Sequence, residues 1–198
     1  MHCIVTAGPT YEPIDQVRRL TNHSTGQLGT GLAKRLADDG HEVTLLRGRS
    51  ATHTEIPEGI GFQQFTTTED LAEKLERLAR AEPGAGAVFH AAAVSDFAVG
   101  QIFRRADDGQ LKPTPKIIAS LREWFAEALL LGWKYEVDGD RDSALGQGQT
   151  QIVENQTNGC VVNGPAYGNG FGWLSNDHPA EHLADKAELF NKLAGLAK

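Results

Sequence analysis

The chain is predicted to be an α/β protein, a Rossmann-like, doubly wound and mostly parallel sheet with helices on both faces. Three observations predict it. His2–Thr6 is a short apolar run ended by Ala7-Gly8-Pro9. A segment from Gly29 to Gly40 follows, with Leu32, Leu36 and Ala33 or Ala37 at helical spacing, and then a second apolar run, His41–Leu46. Strand, helix and strand make one βαβ unit, and alternation of the same kind continues to the C-terminus.

Element by element, the spacing predicts a strand over 2–6, a long loop, a helix over 29–39, a strand over 41–46 and a short strand near Phe62–Phe65. A helix over 69–81 has acids at its start and leucines three and four residues apart, so its charges form a solvated face. A strand over 86–93 precedes a polar stretch, 98–114, containing Gly100, Gly109 and Pro113, which is either a flap or a surface loop. The remainder reads as helix 115–129, strand 131–136, a weakly formed helix 141–154, strand 159–163 and a C-terminal helix 184–197.

The first connection is the most informative. Between the first strand and the first helix lie Gly, Pro, hydroxyl and carboxamide residues, and Gly26, Gly29 and Gly31 cluster at the helix start. Backbone N–H groups there lack intrahelical partners and face the space above the strand ends, which suits a phosphate. A dinucleotide fingerprint places G-x-G-x-x-G directly after the strand, whereas here a long insertion separates Gly8 from the Gly26 cluster.

Composition bounds the rest. With 198 residues and 40% hydrophobic content, the chain fits one domain over 1–198 that buries its core without disulfides. Cys3 and Cys160 fall inside core strands, where free cysteine behaves as a small hydrophobe; a reducing, cytoplasmic setting is the simplest. The net charge of −7 argues against general nucleic-acid binding, and no run has the roughly eighteen apolar residues of a membrane span. His53, His178 and His182 have no metal-ligand spacing, and His90, beside a buried strand, reads as a core histidine. No structural metal site is expected.

The first loop carries Thr6-Ala7-Gly8-Pro9-Thr10, Glu12-Pro13-Ile14-Asp15, Val17-Arg18, Asn22-His23-Ser24-Thr25-Gly26 and Gly29. Further along stand Ala91-Ala92-Ala93-Val94-Ser95-Asp96-Phe97, Gly132-Trp133-Lys134-Tyr135-Glu136, and Cys160-Val161-Val162-Asn163 followed by Gly170-Phe171-Gly172 and Asn176. In that order these resemble the motifs of the phosphopantothenate-cysteine ligases of coenzyme A biosynthesis, over nearly the whole chain.

The resemblance implies that CTP or ATP, with Mg2+, activates the carboxylate of 4'-phosphopantothenate as an acyl-nucleotide, which the amino group of L-cysteine then attacks. It implies Asn22 as the catalytic carboxamide, a neutral donor for the acyl oxygen. Arg18, Ala92 and Ala93 would serve the pantothenate side, with Arg18 suited to a bidentate grip on carboxylate or phosphate. Gly8, Thr10, Ser24, Thr25, Gly26, Asp96, Lys134 and Asn163 would serve the nucleotide. Asp96 reads equally as a turn or N-cap aspartate, and Lys134 as a solvent-facing residue of an alternating strand. The ligand partners are small molecules, with no nucleic acid and no membrane, and family members commonly form homodimers. The chain begins at the ligase strand, so no flavin decarboxylase domain and no flavin are expected.

The sequence departs from the family pattern at a lysine-rich flap, where Gln101-Ile102-Phe103-Arg104-Arg105 stands, and on the helix before the last core strand, where Gln149 and Gln151 replace lysines. These departures keep a second reading open, a non-catalytic or substrate-altered nucleotide- or pantothenate-binding homologue. A short-chain oxidoreductase would need Tyr-x-x-x-Lys, and Tyr11, Tyr135 and Tyr167 each lack the lysine four residues on.

Overall fold

The computed structural model describes residues 1–99 and 111–197. Its first half contains β1 (His2–Ala7), β2 (Tyr11–Pro13), β3 (Arg19–Thr21), α1 (Gln27–Asp38), β4 (Glu42–Gly48), β5 (Gly61–Phe65), α2 (Thr68–Ala81) and β6 (Ala87–His90). The second half contains β7 (Phe97–Val99), β8 (Leu111–Pro113), α3 (Ile117–Trp124), β9 (Leu129–Tyr135), α4 (Arg141–Asn155), β10 (Gly159–Asn163), β11 (Phe171–Ser175), β12 (Glu181–Leu183) and α5 (Lys186–Leu196).

Eight strands form one sheet in the order β12-β11-β10-β9-β6-β1-β4-β5. From β5 to β10 all neighbours are parallel, and β11 and β12 add an antiparallel edge. The chain leaves β1 toward β4 and β5, then returns to β6 and continues the other way. This reversal between β1 and β6 is the switch point above which doubly wound sheets bind ligands.

Alternation along the strands divides the core. Cys3, Val5, Phe89, Leu131 and Val161 face α1 and α5, where Leu32, Leu36, Leu189 and Leu193 meet them. Ile4, Leu46, Val88 and Leu130 face the opposite way, against Leu71, Leu75 and Leu78 of α2 and Leu121 of α3. α4 covers β10 and β11 on that side through Ala144, Ile152, Cys160, Val162 and Leu174. Both cysteines are free and buried, and burial pushes the Cys3 thiol up to about 11 and that of Cys160 to about 12.

Several expected boundaries move for identifiable reasons. The strand over 86–93 ends at His90, because Ala91–Ala93 pair instead with the first loop: Ala93 N–H donates to Gly8 O (2.9 Å) and Thr10 N–H to Ala93 O (3.1 Å). The helix over 115–129 is the eight residues Ile117–Trp124, since Arg122 collects the carbonyls of Phe125, Ala126 and Ala128 into a turn and Leu129 opens β9. The helix over 141–154 forms in full as Arg141–Asn155, started by a reciprocal cap between Asp140 and Ser143. The stretch 98–114 is strand at both ends, β7 pairing antiparallel with β8, while its middle, including Gln101, Arg104 and Arg105, lies outside the described residues.

The loop after β1 is a built piece. β2 and β3 form a hairpin, and the buried Glu12 fastens it to α2 by accepting from Thr68 N–H (2.9 Å) and Thr68 Oγ1–H (2.7 Å). α1 then packs against β1 at Gly29, where a Cβ would stand 2.7 Å from Ala7 Cβ and 3.0 Å from Thr6 O. Gly29→Ala is therefore expected to displace α1 and lower stability by about 1–3 kcal/mol, read as an earlier urea midpoint; an unchanged midpoint would show that the helix has room to shift.

Candidate functional site

Above the switch point lies a cleft of about 910 Å³, at the upper end of the range of roughly 300–1,000 Å³ for small-molecule sites. It draws on Asn22–Thr25 before α1, His90–Asp96 after β6, Thr114–Ile118 at the start of α3, Trp133–Tyr135 of β9, one face of α4, and Asn163 at the end of β10. Of the expected site residues it thus gathers Asn22, Ser24, Thr25, Ala92, Ala93, Asp96, Lys134 and Asn163.

Asn22 is held across the cleft. Its Nδ2 donates to Ala93 O at 3.1 Å, the same carbonyl that accepts from Thr10 N–H. The side chain is exposed, which leaves Oδ1 and the second N–H facing the opening. Lys134 is paired with Glu136 at 3.2 Å. Asp96 is exposed, and its backbone carbonyl accepts from Thr114 N–H (2.9 Å), which ties the end of the A-A-A segment to the approach of α3.

Four expected residues stand elsewhere. Thr10 is fully buried, its Oγ1 accepting from Ser95 N–H at 2.9 Å, so it braces the wall from behind. Gly8 (φ 76°) and Gly26 (φ 80°) make the two left-handed turns that bend the first loop, Gly26 forming the N-cap of α1. Arg18 lies at the tip of the β2–β3 hairpin, half-exposed and outside the cleft. Its Nε donates to Asp15 Oδ2 at 2.7 Å, and this hydrogen bond holds the Asp15 carboxyl down at about 2.

Helix ends add donors that the sequence pattern hides. Among the described residues α2, α4 and α5 are capped by Thr67, Asp140 and Asp185. α1 and α3, the two helices whose N-termini border the cleft, have no side-chain cap and no acid in the first turn. In α1 the Gln27 N–H donates to Thr25 Oγ1 (3.2 Å) and in α3 the Ala119 N–H donates to Lys116 O (3.0 Å), which leaves the amides of Leu28 and Gly29 and those of Ile117 and Ile118 without a described protein partner. The absence of a Ser, Thr, Asp or Asn directly before Ile117 was a readable signal, since Lys116 occupies that position.

The α4 face in the cleft is Gln147, Thr150, Gln151 and Glu154, at the three- and four-residue spacing of one helix side. Gln151 is occupied on both ends, donating to Trp133 O (3.3 Å) and accepting from Cys160 Sγ–H (2.9 Å). Gln149 points away toward Asn176. The cleft's described cations are Lys116 and Lys134, set against Asp96 and Glu154. No group of three or more His, Cys, Asp or Glu side chains stands together among the described residues, and no described helix is long and apolar enough to cross a membrane.

His90, expected as a core histidine, is buried, with 6% of its surface exposed, yet borders the cleft. Its Nδ1 is 3.0 Å from Thr6 Oγ1. Burial pulls the imidazole from its usual 6.5 down to about 4. Between those values the unfolded chain binds the proton and the folded protein does not, so stability falls as pH drops from 6.5 toward 4 and levels off below. Relative to His90→Gln, which cannot titrate, the native protein is expected to lose up to about 3 kcal/mol over that window in urea titrations. Parallel pH profiles for the two proteins would contradict a buried neutral His90.

The family described as the DNA/pantothenate metabolism flavoprotein C-terminal domain matches residues 1–190. The coenzyme A biosynthesis bifunctional protein CoaBC of Thermococcus kodakarensis is 32% identical over 169 residues, covering 81% of this chain and 40% of that protein. Its Bacillus subtilis counterpart is 33% identical over 142 residues, covering 68% and 34%. The chain therefore spans well under half the length of these relatives. The solved structure of the DNA/pantothenate metabolism flavoprotein from Streptococcus pneumoniae superposes with a TM-score of 0.87 at 25% identity, covering 99% of this chain and 97% of that one.

Proposed function

This chain belongs to the family of the DNA/pantothenate metabolism flavoprotein C-terminal domain, and from that premise we propose that its cleft joins 4'-phosphopantothenate to L-cysteine in coenzyme A biosynthesis. A nucleoside triphosphate, CTP or ATP, is attacked at its α-phosphorus by the pantothenate carboxylate, giving an acyl-nucleotide and pyrophosphate. The cysteine amine then attacks the acyl carbon, an amide bond forms, the nucleoside monophosphate leaves, and the nitrogen gives up a proton.

One observation carries this reading: Asn22, Ala92, Ala93, Asp96, Lys134 and Asn163, far apart in sequence and each matching a motif position, line a single cleft at the switch point. Asn22 is fixed by Ala93 O yet keeps a free N–H, so it offers a neutral donor to the acyl oxygen as negative charge builds there. Ser24, Thr25 and the uncapped start of α1 suit phosphate oxygens. Magnesium is usually held by one or two carboxylates together with substrate phosphates, and the exposed Asp96 in the cleft fits that pattern; the ion would neutralise phosphate charge. Arg18 lies outside its own cleft, so it would reach a substrate carboxylate or phosphate across a contact between two copies, in line with a homodimer. A cytoplasmic setting accords with this chemistry.

One feature favours a second reading. The α4 wall offers the triphosphate Gln147, Thr150, Gln151 and Glu154 and no cation, as a binding homologue with an altered substrate could.

The test is to incubate the purified chain with 4'-phosphopantothenate, L-cysteine, Mg2+ and either CTP or ATP, following pyrophosphate and phosphopantothenoylcysteine by mass spectrometry. Product is expected, and the nucleotide supporting it is the co-substrate. Nucleotide binding without product would support the second reading. Asn22→Asp should leave the thermal melt unchanged and lower turnover by about 100-fold or more, the usual cost of losing one donor to a developing oxyanion; native turnover would remove Asn22 from the chemistry.

A further inference from the structure

We propose that His90 is the nucleobase-reading residue of the cleft, a neutral imidazole whose Nε2–H is aimed at an uncharged acceptor, a carbonyl oxygen or ring nitrogen of the base. This rests on the reading that the cleft takes a nucleoside triphosphate.

Hydrogen-bond accounting at Thr6 supports the tautomer. Thr6 Oγ1 accepts from Ala92 N–H at 3.1 Å and stands 3.0 Å from His90 Nδ1. The buried hydroxyl has one proton of its own to place. If Nδ1 carried a proton, the hydroxyl would accept twice and its own proton would go without this acceptor, at a cost of about 1–3 kcal/mol. If instead the hydroxyl donates to Nδ1, every group of the trio is used. The ring proton then sits on Nε2, which has no described protein partner, in a ring that borders the cleft.

The surroundings select the ligand. The cleft next to His90 is lined by Ala92, Val94, Ile117 and Ile118, with the uncapped amides of α3 at its edge. A phosphate in that apolar slot would give up its hydration for a neutral donor, whereas a flat heterocycle keeps its faces against aliphatic groups and needs only donors at its acceptor edge. Phosphate has better partners across the cleft, in Ser24, Thr25 and the start of α1.

The usual base position of a doubly wound fold, past the ends of β4 and β5, is filled. Arg47 is buried there, donating to Glu55 O (2.5 Å) and Thr54 O (3.2 Å), with its guanidinium over the Phe62 ring. No residue of β4, β5 or the loop between them lines the cleft. The base must therefore lie on the β6 side, where His90 is.

Calorimetric titration of the native protein, His90→Gln, His90→Phe and Thr6→Val with CTP, ATP and inorganic triphosphate tests this, alongside 15N NMR of the His90 ring. In the native protein the preferred nucleotide should shift the Nε2–H resonance and triphosphate should not. His90→Phe should weaken that nucleotide about three- to tenfold, the worth of one neutral hydrogen bond, with triphosphate unchanged. Thr6→Val, which unlocks the tautomer, should act in the same direction, and His90→Gln should recover part of the loss.

Equal weakening of nucleotide and triphosphate, unchanged nucleotide affinity in His90→Phe, or an Nδ1–H tautomer would overturn the assignment. If His90→Phe melts early, the NMR shift and His90→Gln decide. A native protein that binds no nucleotide overturns the reading on which the assignment rests as well, which separates the two failures.

Discussion

The pairing of Gly8–Thr10 with Ala91–Ala93 holds the cleft in register. It joins segments more than eighty residues apart by main-chain bonds, Pro9 bridging Ala93 in parallel. One carbonyl, that of Ala93, receives both Thr10 N–H and Asn22 Nδ2, so the loop after β1 and the end of β6 move together. Thr10 Oγ1 extends the brace to Ser95, and Glu12 ties the intervening hairpin to α2. Small side chains at positions 91–93 allow this close approach while keeping the space above the sheet open.

On that frame the cleft is built more from dipoles than from charges. Two uncapped helix starts, a carboxamide, hydroxyls and a buried imidazole face the opening, while the described lysines are matched in number by acids. Neutral donors fixed in place carry no counter-charge to be stripped of water, and they lose little when a ligand arrives because they are already oriented. The affinity such a cleft can give to a polyanion therefore depends on what the ligand and its metal bring with them.

Much of this was legible in the chain. Periodicity located the parallel strands and the helices, because apolar spacing is set by the faces they bury. The motif positions pointed to the cleft, but not to how each residue serves it. Thr10 is buried behind the wall, and Gly8 and Gly26 bend the loop at left-handed turns, placements that depend on backbone direction and are invisible in spacing. The β2–β3 hairpin and the β11–β12 edge escaped notice because three- to five-residue strands carry too little alternation. His90 is the buried histidine that its place beside a core strand implied, and what spacing does not reveal is that the same ring also borders the cleft.

The place of β1 in the sheet has a consequence for how the protein comes into being. It is made before the other strands of its sheet yet sits in the interior, and Thr6 waits for His90, 84 positions later in the chain. Asn163, which completes the far wall, emerges later still. A nascent chain can therefore close β1 against β4 and α1 early, but it has no complete ligand site until β10 has been made. Ligand in the cell thus cannot stabilise the growing intermediate, and the N-terminal half must survive on its own local packing until β6, β9 and β10 arrive.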